Sequence, residues 1–154
     1  MNILFICKSN AERSQIAEIL FNYHPKKGKN HKASSAGLKV EEEKAVGRPA
    51  GLVVTELLLS MGHNAISKAK RQQLTIAMAK TADKIVIILS KEELKKLQLP
   101  SYIKNSPKTI YWDGGFYGAP KHIFNTFPPK TYSYHLKVMK KIMRHVDDLV
   151  AETM

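Results

Sequence analysis

Residues 2–7, NILFIC, form a short and almost unbroken apolar run, and together with the polar loop and helix after it this run leaves little choice of fold. Apolar side chains at successive positions of so short a run belong to a strand buried on both faces, as in a parallel sheet. The eight residues from Cys7 to Ser14 are mostly polar, and residues 14–23 (SQIAEILFNY) then place Ile16, Ile19, Leu20 and Tyr23 at helical spacing. Strand, loop and helix recur along the chain. Residues 33–36 predict a second strand closed by Gly37, and residues 38–47 are charged and expected to be exposed. Residues 50–62 predict a helix closed by Gly62, and residues 72–80 a shorter one. Residues 83–89, DKIVIIL, give the strongest buried-strand pattern. Ser90 with Glu93 three residues later forms a capping box for a helix over 90–97. Residues 108–112 predict a fourth strand, 113–130 a Gly- and Pro-containing loop, and 132–152 an amphipathic helix. Strands alternating with helices predict a single α/β domain over residues 1–154: a three-layer α/β/α sandwich around a four-stranded parallel sheet. Such sheets bind ligands at the carboxyl ends of their strands, where Cys7 and Asp113 both fall.

Composition narrows the function. The chain has one cysteine, so no disulfide forms within it, and its six histidines show no ligand spacing, so neither a metal nor a cofactor is expected. The N-terminal apolar run is too short, and lacks the preceding basic segment, for a signal peptide, which predicts a cytoplasmic protein that does not enter a membrane. The formal net charge is +12, carried by 21 lysines and four arginines. A field of that sign draws in anions. The aromatic residues do not interleave with a basic stripe, and no nucleic-acid-binding motif is present, so nucleic acid is a secondary expectation.

The chemistry concentrates in Cys7-Lys8-Ser9-Asn10-Ala11-Glu12-Arg13-Ser14. A thiolate is a good nucleophile toward phosphorus, and a loop feeding a helix N-terminus offers the backbone N–H groups and dipole that favour thiolates. The same N–H groups, from Lys8 through Ser14, cradle a tetrahedral oxyanion such as phosphate or arsenate. Arg13 closes the cradle with bidentate bonds to two oxygens. Ser14 is expected to donate to the thiolate and also to cap the helix. Asn10 suits a position with positive φ. Glu12 beside an oxyanion is unfavourable unless it faces solvent or pairs with a cation such as Lys8.

Cys-x5-Arg-Ser directly after the first strand, with Asn at the fourth position, resembles the low-molecular-weight protein tyrosine phosphatases, whose fold is shared by a group of arsenate reductases. The resemblance continues through Ser35-Ala36-Gly37, Gly47-Arg48-Pro49, Met61-Gly62-His63, Gln73-Leu74 and Ala82-Asp83-Lys84-Ile85-Val86. It implies hydrolysis of phosphomonoesters through a phosphocysteine intermediate, on a phosphorylated protein or a small aryl phosphate. That chemistry needs a general acid, which in the family is an Asp, usually followed by Pro, near a pair of aromatics. In Trp112-Asp113-Gly114-Gly115-Phe116-Tyr117-Gly118 the Asp-Pro is absent. Asp113, the sole carboxylate of that loop, is the expected acid, and Phe116 and Tyr117 are the expected pocket wall, while Trp112 either joins them or belongs to the core. Gln15 in place of the family's Pro leans toward the arsenate-reductase branch.

Three readings are open on these residues. The first is a cysteine-dependent phosphatase. The second is an arsenate reductase that uses an external small thiol, since one cysteine cannot relay a disulfide within the chain. The third is a non-catalytic basic binder of oxyanions, phosphopeptides or nucleic acid.

Overall fold

The structure is a computed structural model that describes residues 1–51, 55, 59, 62, 70–113 and 130–154. Four parallel strands, β1 (Asn2–Cys7), β2 (Lys32–Gly37), β3 (Lys84–Leu89) and β4 (Thr109–Asp113), form one sheet in the order β2-β1-β3-β4. Among the described residues the named helices are α1 (Arg13–Asn22), α2 (Ile76–Thr81), α3 (Lys91–Lys96), α4 (Ser101–Lys104) and α5 (Lys130–Thr153). This is the α/β architecture expected from the alternation, with one core on each face of the sheet.

The continuous apolar runs are explained by those two cores. Ile3 and Phe5 of β1 and Val86 and Ile88 of β3 pack with Ile16, Ala17, Leu20 and Phe21 of α1 and Met139, Ile142, Val146 and Val150 of α5. The alternate residues, Leu4, Ile6, Ile85, Ile87 and Leu89, pack with Ala79 of α2 and Ile103 of α4. Both faces of β1 and β3 are therefore dry, so neither strand has a polar alternate.

Several boundaries differ from expectation. Helix α2 starts at Ile76, not at residue 72, because Thr75 caps it by accepting from the Met78 N–H at 3.2 Å. The residues before it are extended: Gln73 bridges Gly37 in parallel, and Lys70 bridges Pro49. Asp113 is the last residue of β4, paired with Leu89, and not the first residue of a loop. The short helix α4 carries no clear sequence signal. Within the charged segment 38–47, Val40 and Ala45 are buried. Of the helix expected over 50–62, most residues lie outside the described set, although the Thr55 N–H to Gly51 O bond at 3.0 Å is helical in type.

Candidate active site

The loop from Cys7 to Ser14 leaves the carboxyl end of β1, in the middle of the sheet. The protein holds it by its carbonyls. Cys7 O accepts from Leu38 N at 3.0 Å, Lys8 O from Lys39 N at 2.9 Å, Ala11 O from Gly51 N at 3.1 Å, and Glu12 O from Ile16 N at 2.8 Å. Asn10 O accepts from Gln15 Nε2 at 2.7 Å. Within one planar trans peptide, C=O and N–H point in opposite directions. The N–H groups of Lys8, Ser9, Ala11, Glu12 and Arg13 are therefore turned to the side away from these anchors. Gly37 makes the closeness of the anchor strand feasible: a Cβ there would stand 2.8 Å from Asn10 N and 2.9 Å from Lys8 O.

Asn10 organises the interior of the loop. It adopts φ +49°, as its residue type suggested, and is fully buried. Its Oδ1 accepts from the Gln72 backbone N–H at 2.9 Å. A backbone N–H only donates, so this bond fixes which end of the amide is oxygen. Nδ2 then donates to Ser14 Oγ at 2.8 Å and to Ser35 Oγ at 3.0 Å. Ser14 Oγ, which accepts from Asn10, also lies 3.0 Å from Cys7 Sγ, a hydrogen bond in which the hydroxyl is the donor when the sulfur is a thiolate. Ser35 Oγ similarly donates onward to Glu18. Burial pushes the Glu18 carboxyl above its ordinary range, and the Ser35 hydrogen bond partly offsets this.

Arg13 is the first residue of α1, and it is buried. Nη1 donates to Ile88 O at 3.1 Å and to Glu93 Oε1 at 2.6 Å, and Nη2 donates to Glu93 Oε2 at 3.0 Å. Burial alone would push the Glu93 carboxyl up; hydrogen bonds and charge from Arg13, joined by Ser90, hold it below its ordinary value. The Arg13 guanidinium, which burial disfavours as a cation, is more than compensated by Glu93, Cys7 and Glu12.

The remaining expected residues divide clearly. Ser14 does not cap α1: it is the second residue of the helix, the N-cap is Glu12 without a side-chain bond, and the Ser14 hydroxyl engages Cys7 and Asn10. Lys8 is exposed, and Ser9 Oγ donates to Glu43. The Glu12 carboxylate lies toward Gly51, where Oε1 is 3.5 Å from the place a Cβ would occupy. Asp113 is at the same end of the sheet as Cys7, two strands away, and its Oδ2 accepts from Lys141 Nζ of α5 at 3.0 Å. Of its two readings Trp112 takes the core one: it is 8% exposed and stacks on His145 at 4.9 Å. Phe116 and Tyr117 lie outside the described residues. Glu93 and Glu18 went unrecognised in the sequence as members of the site, because their partners are 80 and 17 positions away.

Among the described residues no three histidine, cysteine or carboxylate side chains group as metal ligands, and no helix is long and apolar enough to cross a membrane. No curated protein matches the chain. Solved structures do. Wzb from Vibrio vulnificus in complex with benzylphosphonate superposes with a TM-score of 0.71 at 19% identity, covering 98% of this chain and 97% of that one. A low molecular weight protein tyrosine phosphatase from T. tengcongensis gives 0.69 at 23% identity, with 99% of each chain covered. A thioredoxin-dependent arsenate reductase from Corynebacterium glutamicum gives 0.62 at 23% identity over 96% of this chain and 59% of that one. At these identities the likeness establishes the fold. The family description is met over residues 2–113, from the first strand to Asp113 and including the whole Cys7–Ser14 loop, so the chain belongs to the low molecular weight phosphotyrosine protein phosphatase family.

Proposed function

We propose that this protein hydrolyses phosphomonoesters, of the phosphotyrosine or small aryl phosphate class, through a phosphocysteine intermediate. The observation that carries the reading is the buried Cys7–Ser14–Asn10 bond series on a loop whose amides turn away from its anchors, with Arg13 on the same loop. The phosphoryl group sits on the loop amides, and two of its oxygens bond the Nε edge of Arg13. The Cys7 thiolate attacks phosphorus in line, forming the S–P bond as the bond to the leaving oxygen breaks. Asp113 gives that oxygen its proton. Neighbouring strands are about 4.8 Å apart, so two strands put roughly 10 Å between the Cys7 and Asp113 backbones, room for a phosphoryl group and its leaving oxygen. Water then attacks phosphorus and passes a proton to Asp113, while the S–P bond breaks and the returning thiolate accepts the Ser14 hydrogen bond. The ion pair with Lys141 must open for Asp113 to carry a proton.

Hydrolysis of p-nitrophenyl phosphate across the acidic to neutral range tests the assignment. Cys7→Ser abolishes turnover, and Asp113→Asn lowers kcat by about 100-fold or more. Turnover that survives Cys7→Ser would refute the mechanism; loss with Cys7→Ser alone would leave the nucleophile and remove Asp113 from its role. A second reading, arsenate reduction resolved by an external thiol, is favoured by Gln15, which stands where the phosphatases carry Pro. Arsenate-dependent oxidation of a small thiol, without phosphoester hydrolysis, would select it.

A further inference from the structure

Glu93 closes a helix cap and grips the loop arginine with one carboxylate. It is the third residue of α3. Its N–H donates to Ser90 Oγ at 3.1 Å, and its Oε1 accepts from Ser90 N at 3.0 Å, which completes the capping box. Such a carboxylate ordinarily serves the helix end and nothing else. Here Oε1 also accepts from Arg13 Nη1 at 2.6 Å and Oε2 from Arg13 Nη2 at 3.0 Å. Ile88 O, on β3, takes the other Nη1 hydrogen at 3.1 Å. Three contacts from two directions fix both the plane of the guanidinium and its rotation in that plane. The pair is largely shielded, with side-chain exposures of 7% and 21%. A planar fork held along its Nη1–Nη2 edge presents its Nε edge on the adjoining side, and that edge can make the second bidentate contact of the same guanidinium.

We propose that Glu93 is a positioning residue for the oxyanion grip, holding Arg13 to the start of α3 so that its Nε edge faces the Cys7 loop. This deepens the proposed function but rests only on its first step, oxyanion binding, and not on hydrolysis. Two simpler roles make opposite predictions. A carboxylate beside a guanidinium also cancels charge, and if that were its effect, removing the charge would tighten anion binding. If Glu93 were only a cap, breaking the box at Ser90 would do equal harm.

Titration calorimetry with inorganic phosphate distinguishes these on wild type, Glu93→Gln, Glu93→Asp and Ser90→Ala. Glu93→Gln keeps an acceptor for Ser90 N–H but loses the charge that orients the fork, and phosphate affinity falls about 100-fold, as expected for a binding group displaced by about an ångström. Ser90→Ala leaves both bonds to Arg13 and changes affinity by no more than about threefold, although it costs cap energy. Glu93→Asp keeps the charge but is one methylene too short to hold cap and fork together, so its affinity falls between the two; it carries the test if the Gln variant does not fold. The Arg13 Nε–H resonance, sharp in the wild type, broadens in Glu93→Gln and not in Ser90→Ala. Tighter phosphate binding by Glu93→Gln, equal losses in Glu93→Gln and Ser90→Ala, unchanged binding by Glu93→Asp, or a wild type that binds no phosphate would each overturn the proposal. A wild type that binds phosphate but hydrolyses no ester would sink the phosphatase reading and leave this inference standing.

Discussion

Asn10 joins the backbone of the loop to its chemistry. It holds a left-handed φ of +49° and makes three buried side-chain bonds, to Gln72 N, Ser14 and Ser35. Asn10→Ala loses all three and places a Cβ with no polar compensation in a conformation that costs an ordinary residue about 1–2 kcal/mol. Urea denaturation is expected to show a loss of about 3 kcal/mol in total, since buried partners are left unsatisfied. Asn10→Gly loses the same bonds without the strain and recovers about 1 kcal/mol of that. Equal losses for Ala and Gly would show that the φ value stores nothing. The positive φ was legible from residue type, as was the attachment of Ser14 to Cys7. The far ends of the network were not. Glu18 carried no reading of its own and Glu93 read only as half of a capping box; the fold brings Ser35 and Arg13 against them, and neither pairing leaves a local sequence signature.

At the level of elements, the strands were legible because burial on both faces leaves unbroken apolar runs in β1 and β3. Residues 72–75 were misread as helical because the partner of Gln73, Gly37, lies far back in sequence. The docking of α5 on β4 also depends on distant pairs. Lys141 and His145, one turn apart on α5, meet Asp113 and Trp112, the last two residues of β4. Burial pushes the His145 imidazole below its ordinary value, and the Lys141 charge adds to this, with Asp148 and Asp113 opposing. A folded-state value below the unfolded one means that the unfolded chain takes up the proton first. The contribution of this group is therefore complete above about pH 6.5 and is lost as pH falls through the folded value. His145→Phe keeps a ring on Trp112 and removes the titration. Its stability, measured by urea unfolding, is expected to fall less steeply than that of the wild type on going from about pH 7 to pH 5. Parallel pH curves for the two proteins would mean that His145 ionises without cost where it stands.

At the scale of the whole molecule, a share of the positive charge lies at the pole opposite the chemistry. The carboxyl ends of the strands carry Cys7 and Asp113, and near them Lys39 is matched by Glu42 and Lys141 by Asp113. The amino ends collect lysine in excess of carboxylate among the described residues. Lys32 opens β2, Lys108 precedes β4, Lys26 and Lys29 lie on the connection into β2, and Lys80 and Lys104 end the helices that lead into β3 and β4. The carboxylates at this pole are engaged, Asp83 with Asn2 N at 2.6 Å and Glu152 with Lys84 at 3.7 Å. A six-residue strand spans about 20 Å, more than twice the screening length of about 8 Å at physiological salt. The field of this pole therefore does not reach the Cys7 loop through solvent. Replacing Lys26, Lys29, Lys32 and Lys104 by Glu changes net charge by eight units, from the +12 of the native sequence to +4. The variant should leave a phosphate-bearing cation exchanger at markedly lower salt. Its kcat/KM on p-nitrophenyl phosphate at about 0.15 M salt should stay within about twofold of the wild type. Lys8→Ala, which removes a single charge at the loop itself, should lower kcat/KM, and the loss should shrink as salt is raised. If the distant fourfold reversal slowed turnover more than Lys8→Ala did, the two poles would be electrostatically coupled through the protein interior, and the +12 charge would belong to catalysis rather than to what the opposite end of the sheet attracts.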